Sequence, residues 1–158
     1  EIDRVKPSKE QVVASIQDSS YPGKTLFQIL KSYEEGMKGD VQNDDIWYEH
    51  IMPKTGTTYW FGIAGTSNTN EYARIVNNIG NIAPLDPKTN NKGKNYDWSI
   101  KRKLYIDEVP TWLIADIARN NLDEWNIEKM QSRAIDIAEW SVNTRWPLDK
   151  MIINIVGY

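Results

Sequence analysis

The chain holds a single histidine, His50, and its neighbours give it a chemical context. The run Trp47-Tyr48-Glu49-His50-Ile51-Met52-Pro53-Lys54 sets an acid beside the imidazole, at the end of a short stretch that proline stops. A neutral imidazole, with an ordinary pKa of about 6.5, can take a proton from water near neutral pH. Farther along stand Asn81, inside Ile79-Gly80-Asn81-Ile82, and then Asn90, Asn91 and Asn95. Carboxylate and amide oxygens suit a hard cation such as Mg²⁺ or Mn²⁺. One strand, a loop, a second strand and a following helix could thus bring a base and a cation together. Each residue taken alone has a plainer reading. Lone histidines are commonly structural, and asparagines cap helices and form turns. The case rests on order and spacing.

One geometric condition is attached. Neighbours on a regular strand point to opposite faces, so Glu49 and His50 serve one site only if the strand bends or ends there. Charge adds a second clue. Between Lys88 and Lys103 six cations face only Asp97, a local balance of +5 in a chain of net charge −3, which leaves −8 for the remainder. Phosphate binding depends on such a local field more than on the total. Lys92, Lys94, Asn95, Lys101 and Arg102 are the candidate nucleic-acid contacts in this segment. The competing reading is a solvated helix face.

Glu49-His50-Ile51-Met52-Pro53, then Ile79-Gly80-Asn81-Ile82, then Asn90, Asn95, Trp98 and Lys101, together resemble the C-terminal HNH domain of GmrSD-type modification-dependent restriction enzymes. The same domain type closes the phosphorothioate-sensing phage-defence protein SspE. The resemblance spans roughly residues 40 to 147 and includes Trp125, Arg133 and Trp146. It implies a mainly helical α+β domain with a ββα-metal core and flanking helices. It implies His50 as the general base, Asn81 holding the imidazole, and Glu49 with Asn90 or its neighbour Asn91 as ligands of Mg²⁺ or Mn²⁺. The implied activity is DNA endonuclease action as the effector of a bacterial restriction or anti-phage protein, in the cytoplasm, with little sequence specificity of its own. An upstream sensor or NTPase domain would precede it. Two departures stand out: Gly-Asn-Ile-Ala replaces the usual Gly-Asn-Leu-Thr, and Pro84 falls where a strand residue is expected. The alternative is a non-catalytic module that binds nucleic acid or protein, which would need none of His50, Asn81 and Asn90.

The supporting elements follow from patterning. The 158 residues suit one domain, with residues 1–40 as an N-terminal helical segment and 41–158 as the domain proper. There is no cysteine, so disulfides and thiolate metal sites are excluded. No apolar run is long enough to span a bilayer. Because the chain begins at Glu1, it reads as a piece of something longer. After a ragged leader, Ser8 and Gln11 form a capping box for a helix to about Asp18. Thr25 to Lys38 is a second helix carrying Leu26, Ile29, Leu30 and Tyr33 on one face. A polar connector over 39–45 leads to a strand over Ile46–Met52 and a long loop over 54–70, with a short strand at Tyr59-Trp60-Phe61. Glu71–Asn78 reads as a helix ended by Gly80, Asn81–Leu85 as the second strand, and Asn90 or Asn91 to Tyr105 as one helix. Pro110 opens another helix, and Asn126 caps the last long one. Met151 to Val156 forms a final apolar stretch.

Overall fold

A computed structural model of the protein describes residues 7–39 and 45–147. The expected leader, most of the polar connector and the apolar stretch Met151–Val156 lie outside those residues. The described part is mainly helical with one small antiparallel sheet. Helix α1 (Lys9–Gln17) starts at the expected capping box: the Ser8 hydroxyl accepts from Gln11 N, and the Gln11 side chain accepts from Ser8 N. Helix α2 (Lys24–Lys38) buries Leu26, Ile29 and Leu30, and also Glu34.

Strand β1 (Trp47–His50) pairs antiparallel with β2 (Ile82–Leu85), with Glu49 opposite Ala83 and His50 opposite Ile82. Pro84 sits in the strand opposite Tyr48, so this departure is tolerated in a ribbon that, among the described residues, has two strands and leaves one edge of each unpaired. Two helices lie between the strands, α3 (Thr58–Ala64) and α4 (Thr69–Val76). The first of these is a correction, because Tyr59-Trp60-Phe61 was expected to be extended. Thr57 caps a helix there by accepting from Trp60 N, and Trp60 and Ala64 fall on one buried face. Aromatic residues favour strands only where a sheet is available to pack them.

Gly80 does not end a helix. It lies in a short 3₁₀ turn (Ile79–Asn81), and a Cβ there would stand 2.0 Å from the carbonyl oxygen of Met130. The glycine allows a close approach between this turn and the last long helix.

After β2, Asp86 accepts from Thr89 N and Pro87 takes the first helical position of α5 (Pro87–Gly93). The single helix expected from Asn90 to Tyr105 is in fact two. Lys94 takes a φ of 38°, and the chain restarts at α6 (Trp98–Glu108). Helix α7 (Leu113–Asn120) and helix α8 (Ile127–Trp140) complete the described part. Asn126 caps α8 as expected, and a π-helical turn (Ser141–Arg145) follows it.

The sheet divides two apolar clusters. Ala83 and Leu85 join Trp60, Trp98, Tyr105 and Trp125 on one side. Ile82 joins Leu26, Leu30 and Ile137 on the other, where Tyr48 also packs. Three tryptophans, Trp60, Trp98 and Trp125, therefore serve as core anchors.

Candidate active site

His50 is the last residue of β1, and only 7% of its surface is exposed. Asn77 Oδ1 lies 3.0 Å from Nε2. An amide oxygen can only accept, so Nε2 carries the proton and Nδ1 keeps the lone pair. The Tyr21 ring meets the imidazole edge-on at 4.6 Å. Two loops hold these partners together. Tyr21 N donates to Asn77 O at 2.8 Å, Ile79 N donates to Ser19 O, and Ser20 bridges to Asn78. Burial pushes the imidazole pKa down to about 4, Lys54 and Lys101 push the same way, and the bond to Asn77 opposes them. The ring is therefore neutral at pH 7.

Glu49 turns to the other face of the sheet. Its Oε1 accepts from Lys101 Nζ at 2.7 Å and from the Tyr105 hydroxyl at 2.7 Å, and its Oε2 accepts from Asn90 Nδ2 at 2.9 Å. The strand stays regular through His50, so alternation holds and the two neighbours diverge.

Lys101 corrects the expectation of a surface contact with DNA. It is fully buried, and its ammonium also donates to the carbonyl oxygens of His50 and Ile51, at 2.8 and 2.9 Å. It neutralises Glu49 and ties helix α6 to the end of β1. Its spacing from Trp98 and Tyr105 along the helix was the available signal, since all three fall on one buried face.

Asn81 does not touch the imidazole. Its amide is fully buried and fully used: Oδ1 accepts from Met52 N and Trp125 Nε1, and Nδ2 donates to the carbonyls of Met52 and Val76. It pins the turn after His50, and the ring-holding role falls to Asn77, four residues earlier. Reading Asn77-Asn78 only as a helix end missed it. Tyr21 stands before Pro22 and Gly23, a chain-breaking run that by itself gives no sign of a role at the site.

Of the two adjacent asparagines, Asn90 faces Glu49 and Asn91 is exposed. The basic segment is less open than its sequence suggests. Lys92 pairs with Glu108, Lys103 pairs with Asp107, and Arg102 Nε donates to Ala118 O. Lys88, Lys94 and Asn95 are exposed. Among the described residues, no group of three or more His, Asp and Glu side chains is arranged to hold a metal. Any cation here would rest on a carboxylate and an amide together. No described helix is long and apolar enough to cross a membrane.

Arg133 supports the site from behind. Its Nη1 donates to the carbonyls of Gly80 and Ile82, each at 2.8 Å, and so fixes the turn that enters β2.

The sequence model of the family described as GmrSD restriction endonucleases, C-terminal domain, matches residues 7–140. No curated protein and no solved structure matches the chain.

Proposed function

Since the chain belongs to the family of the C-terminal domain of GmrSD restriction endonucleases, we propose that it is a metal-dependent DNA endonuclease module of the HNH type with His50 as its base. The observation that carries this reading is the state of His50. It is neutral, held at Nε2 by Asn77, and has no protein partner at Nδ1 among the described residues. A group so arranged can take a proton from a water directed at a phosphodiester. The water oxygen bonds to phosphorus, the bond from phosphorus to the 3′ oxygen breaks, and the water's proton passes to Nδ1.

The order of two antiparallel strands followed directly by α5 supports a ββα arrangement. Glu49 and Asn90 carry hard oxygens and lie 2.9 Å apart (Oε2 to Nδ2), but on the face of β1 opposite the imidazole, so a single centre requires the Glu49 carboxylate to swing towards His50 when DNA binds. Two such donors, with waters and substrate phosphate, suit Mg²⁺ or Mn²⁺. The bound ion would supply Lewis-acid stabilisation of charge on the phosphate oxygens. Asn90 now donates to Glu49, so its amide must turn over to offer an oxygen. Asn81, Lys101 and Arg133 fix the backbone on either side of the base. DNA is the substrate, read with little sequence preference, and Lys88, Lys92 and Lys94 supply phosphate contacts on the α5 side. Recognition of modified DNA belongs to an upstream sensor or NTPase domain, in a cytoplasmic defence protein.

The buried Glu49–Lys101 pair favours a second reading, in which these groups only lock α6 to β1 and the module binds nucleic acid without cutting it. Nicking of supercoiled plasmid separates the two. The expected result is Mg²⁺- or Mn²⁺-dependent nicking that EDTA stops. His50→Ala should lose at least about 10²-fold in rate while keeping its circular dichroism and its DNA affinity. Unchanged nicking by His50→Ala, or full activity in EDTA, removes the proposal.

A further inference from the structure

Lys54 follows Pro53 at the exit of the turn that carries His50. Its side chain is exposed and has no ion-pair partner among the described residues. Its Nζ is nonetheless placed, 4.1 Å from the centroid of the Tyr21 ring. The same ring meets His50 edge-on at 4.6 Å. Ammonium, phenol ring and imidazole thus form one continuous row.

The row is anchored at its middle and beside the lysine. Tyr21 is fixed by its backbone bond to Asn77, and Pro53 by its carbonyl, which accepts from the Tyr72 hydroxyl at 2.8 Å. An aromatic face holds a cation without neutralising it and leaves its outward N–H donors free. Two lysine charges act on His50, those of Lys54 and Lys101. Lys101 is fully buried and paired with Glu49, so an anion arriving from solvent meets Lys54.

We propose that Lys54 binds the backbone phosphate next to the bond that His50 attacks, and that Tyr21 is the positioning residue that seats this ammonium beside the base. The inference rests on the nuclease reading and adds to it a defined path for the strand, across the face made by residues 21 and 54. The site reads charge and spacing, and takes any phosphodiester strand that fits.

The test uses Lys54→Met, Lys54→Arg, Tyr21→Ala and Tyr21→Phe in two assays. The first is equilibrium binding to a DNA duplex in EDTA over a range of KCl. Lys54→Met should weaken binding about tenfold or more, the effect of losing one charge-assisted contact. It should also lower the slope of log K against log salt by about 1. Lys54→Arg and Tyr21→Phe should keep both values near wild type, whereas Tyr21→Ala should follow Lys54→Met. The second assay is plasmid nicking with Mg²⁺, in which Lys54→Met should slow the wild-type reaction about tenfold or more. Wild-type affinity, salt slope and nicking rate in Lys54→Met would overturn the inference and leave the nuclease reading intact. A wild-type protein that never nicks would remove the nuclease reading, and the salt slope would still decide whether Lys54 meets phosphate. If Tyr21→Ala fails to fold, the contrast between the two Lys54 variants carries the decision.

Discussion

His50 stands between opposing influences. Burial and two lysine charges hold the imidazole pKa at about 4, and the Asn77 oxygen pulls it back up. A base of low pKa stays unprotonated through the whole neutral range, at some loss of proton affinity. The acid limb of kcat/KM should therefore lie below the ordinary imidazole range. Removing the Asn77 oxygen should move that limb lower still in Asn77→Ala, with kcat reduced about tenfold or more as the ring loses its fixed orientation. Asn77→Asp places a carboxylate at the same atom and should move the limb upward. pH–rate profiles of the three proteins check the sign. Identical limbs in all three would mean that Asn77 does not govern this ring. The candidate base was legible in the sequence because only one histidine is present. The identity of its partner was not, because Asn77 reaches it through a loop pairing between residues 19–21 and 77–79 that has no sequence periodicity.

At the scale of elements, the site depends on how closely the turn before β2 meets α8. A methyl group at Gly80 would lie 2.0 Å from Met130 O and 3.1 Å from Ala134 Cβ. Neither neighbour can give way cheaply, since the first is helix backbone and the second is a rigid stub. Gly80→Ala should cost about 1–3 kcal/mol or more, read as a lower denaturant midpoint with little change in m. It should also loosen the Arg133 and Asn81 contacts that hold both strands, so activity should fall faster than the folded fraction. A variant with wild-type stability would show that the turn and α8 are less tightly joined. Strong local signals made several elements readable: the Ser8 capping box, the apolar face of α2 and the Asn126 cap. The errors came where tertiary contacts decided the outcome. Residues 59–61 became helix because Trp60 had a core to fill. The expected long helix broke at Lys94, beside Gly93, where a Cβ would stand 3.1 Å from Glu49 Oε1.

For the whole molecule, two buried groups titrate in opposite senses. The folded pKa of His50 lies at about 4, below the ordinary imidazole value of 6.5, so its contribution to stability is lost as pH falls from 6.5 through 4. Burial raises the folded pKa of Glu34 to about 7 from 4.5, so its contribution is present below 4.5 and lost as pH rises through 7. Glu34 joins α2 to α7 by accepting from Leu113 N, and its Oε2 has no partner among the described residues. Glu34→Gln keeps an acceptor for Leu113 N and removes the titration. It should flatten the fall in stability between pH 5 and pH 8, with a gain over wild type at pH 8 of as much as about 3 kcal/mol. Denaturant unfolding at several pH values reads this directly. Parallel curves for the two proteins would refute the assignment.

The sequence by itself determined the family, the candidate base, the bounds of α1 and α2 and the start of α8, because these depend on residue type and on spacing along the chain. It did not determine which way each side chain points or which charges remain free. Only the tertiary structure decided that Glu49 and His50 part to opposite faces of β1, that Lys101 is spent on Glu49, and that Tyr21 and Asn77 arrive from distant loops to hold the imidazole. The physical reason is that burial and hydrogen-bond partnership are properties of three-dimensional neighbours. A lysine reads the same in the sequence whether it ends in water or against a carboxylate.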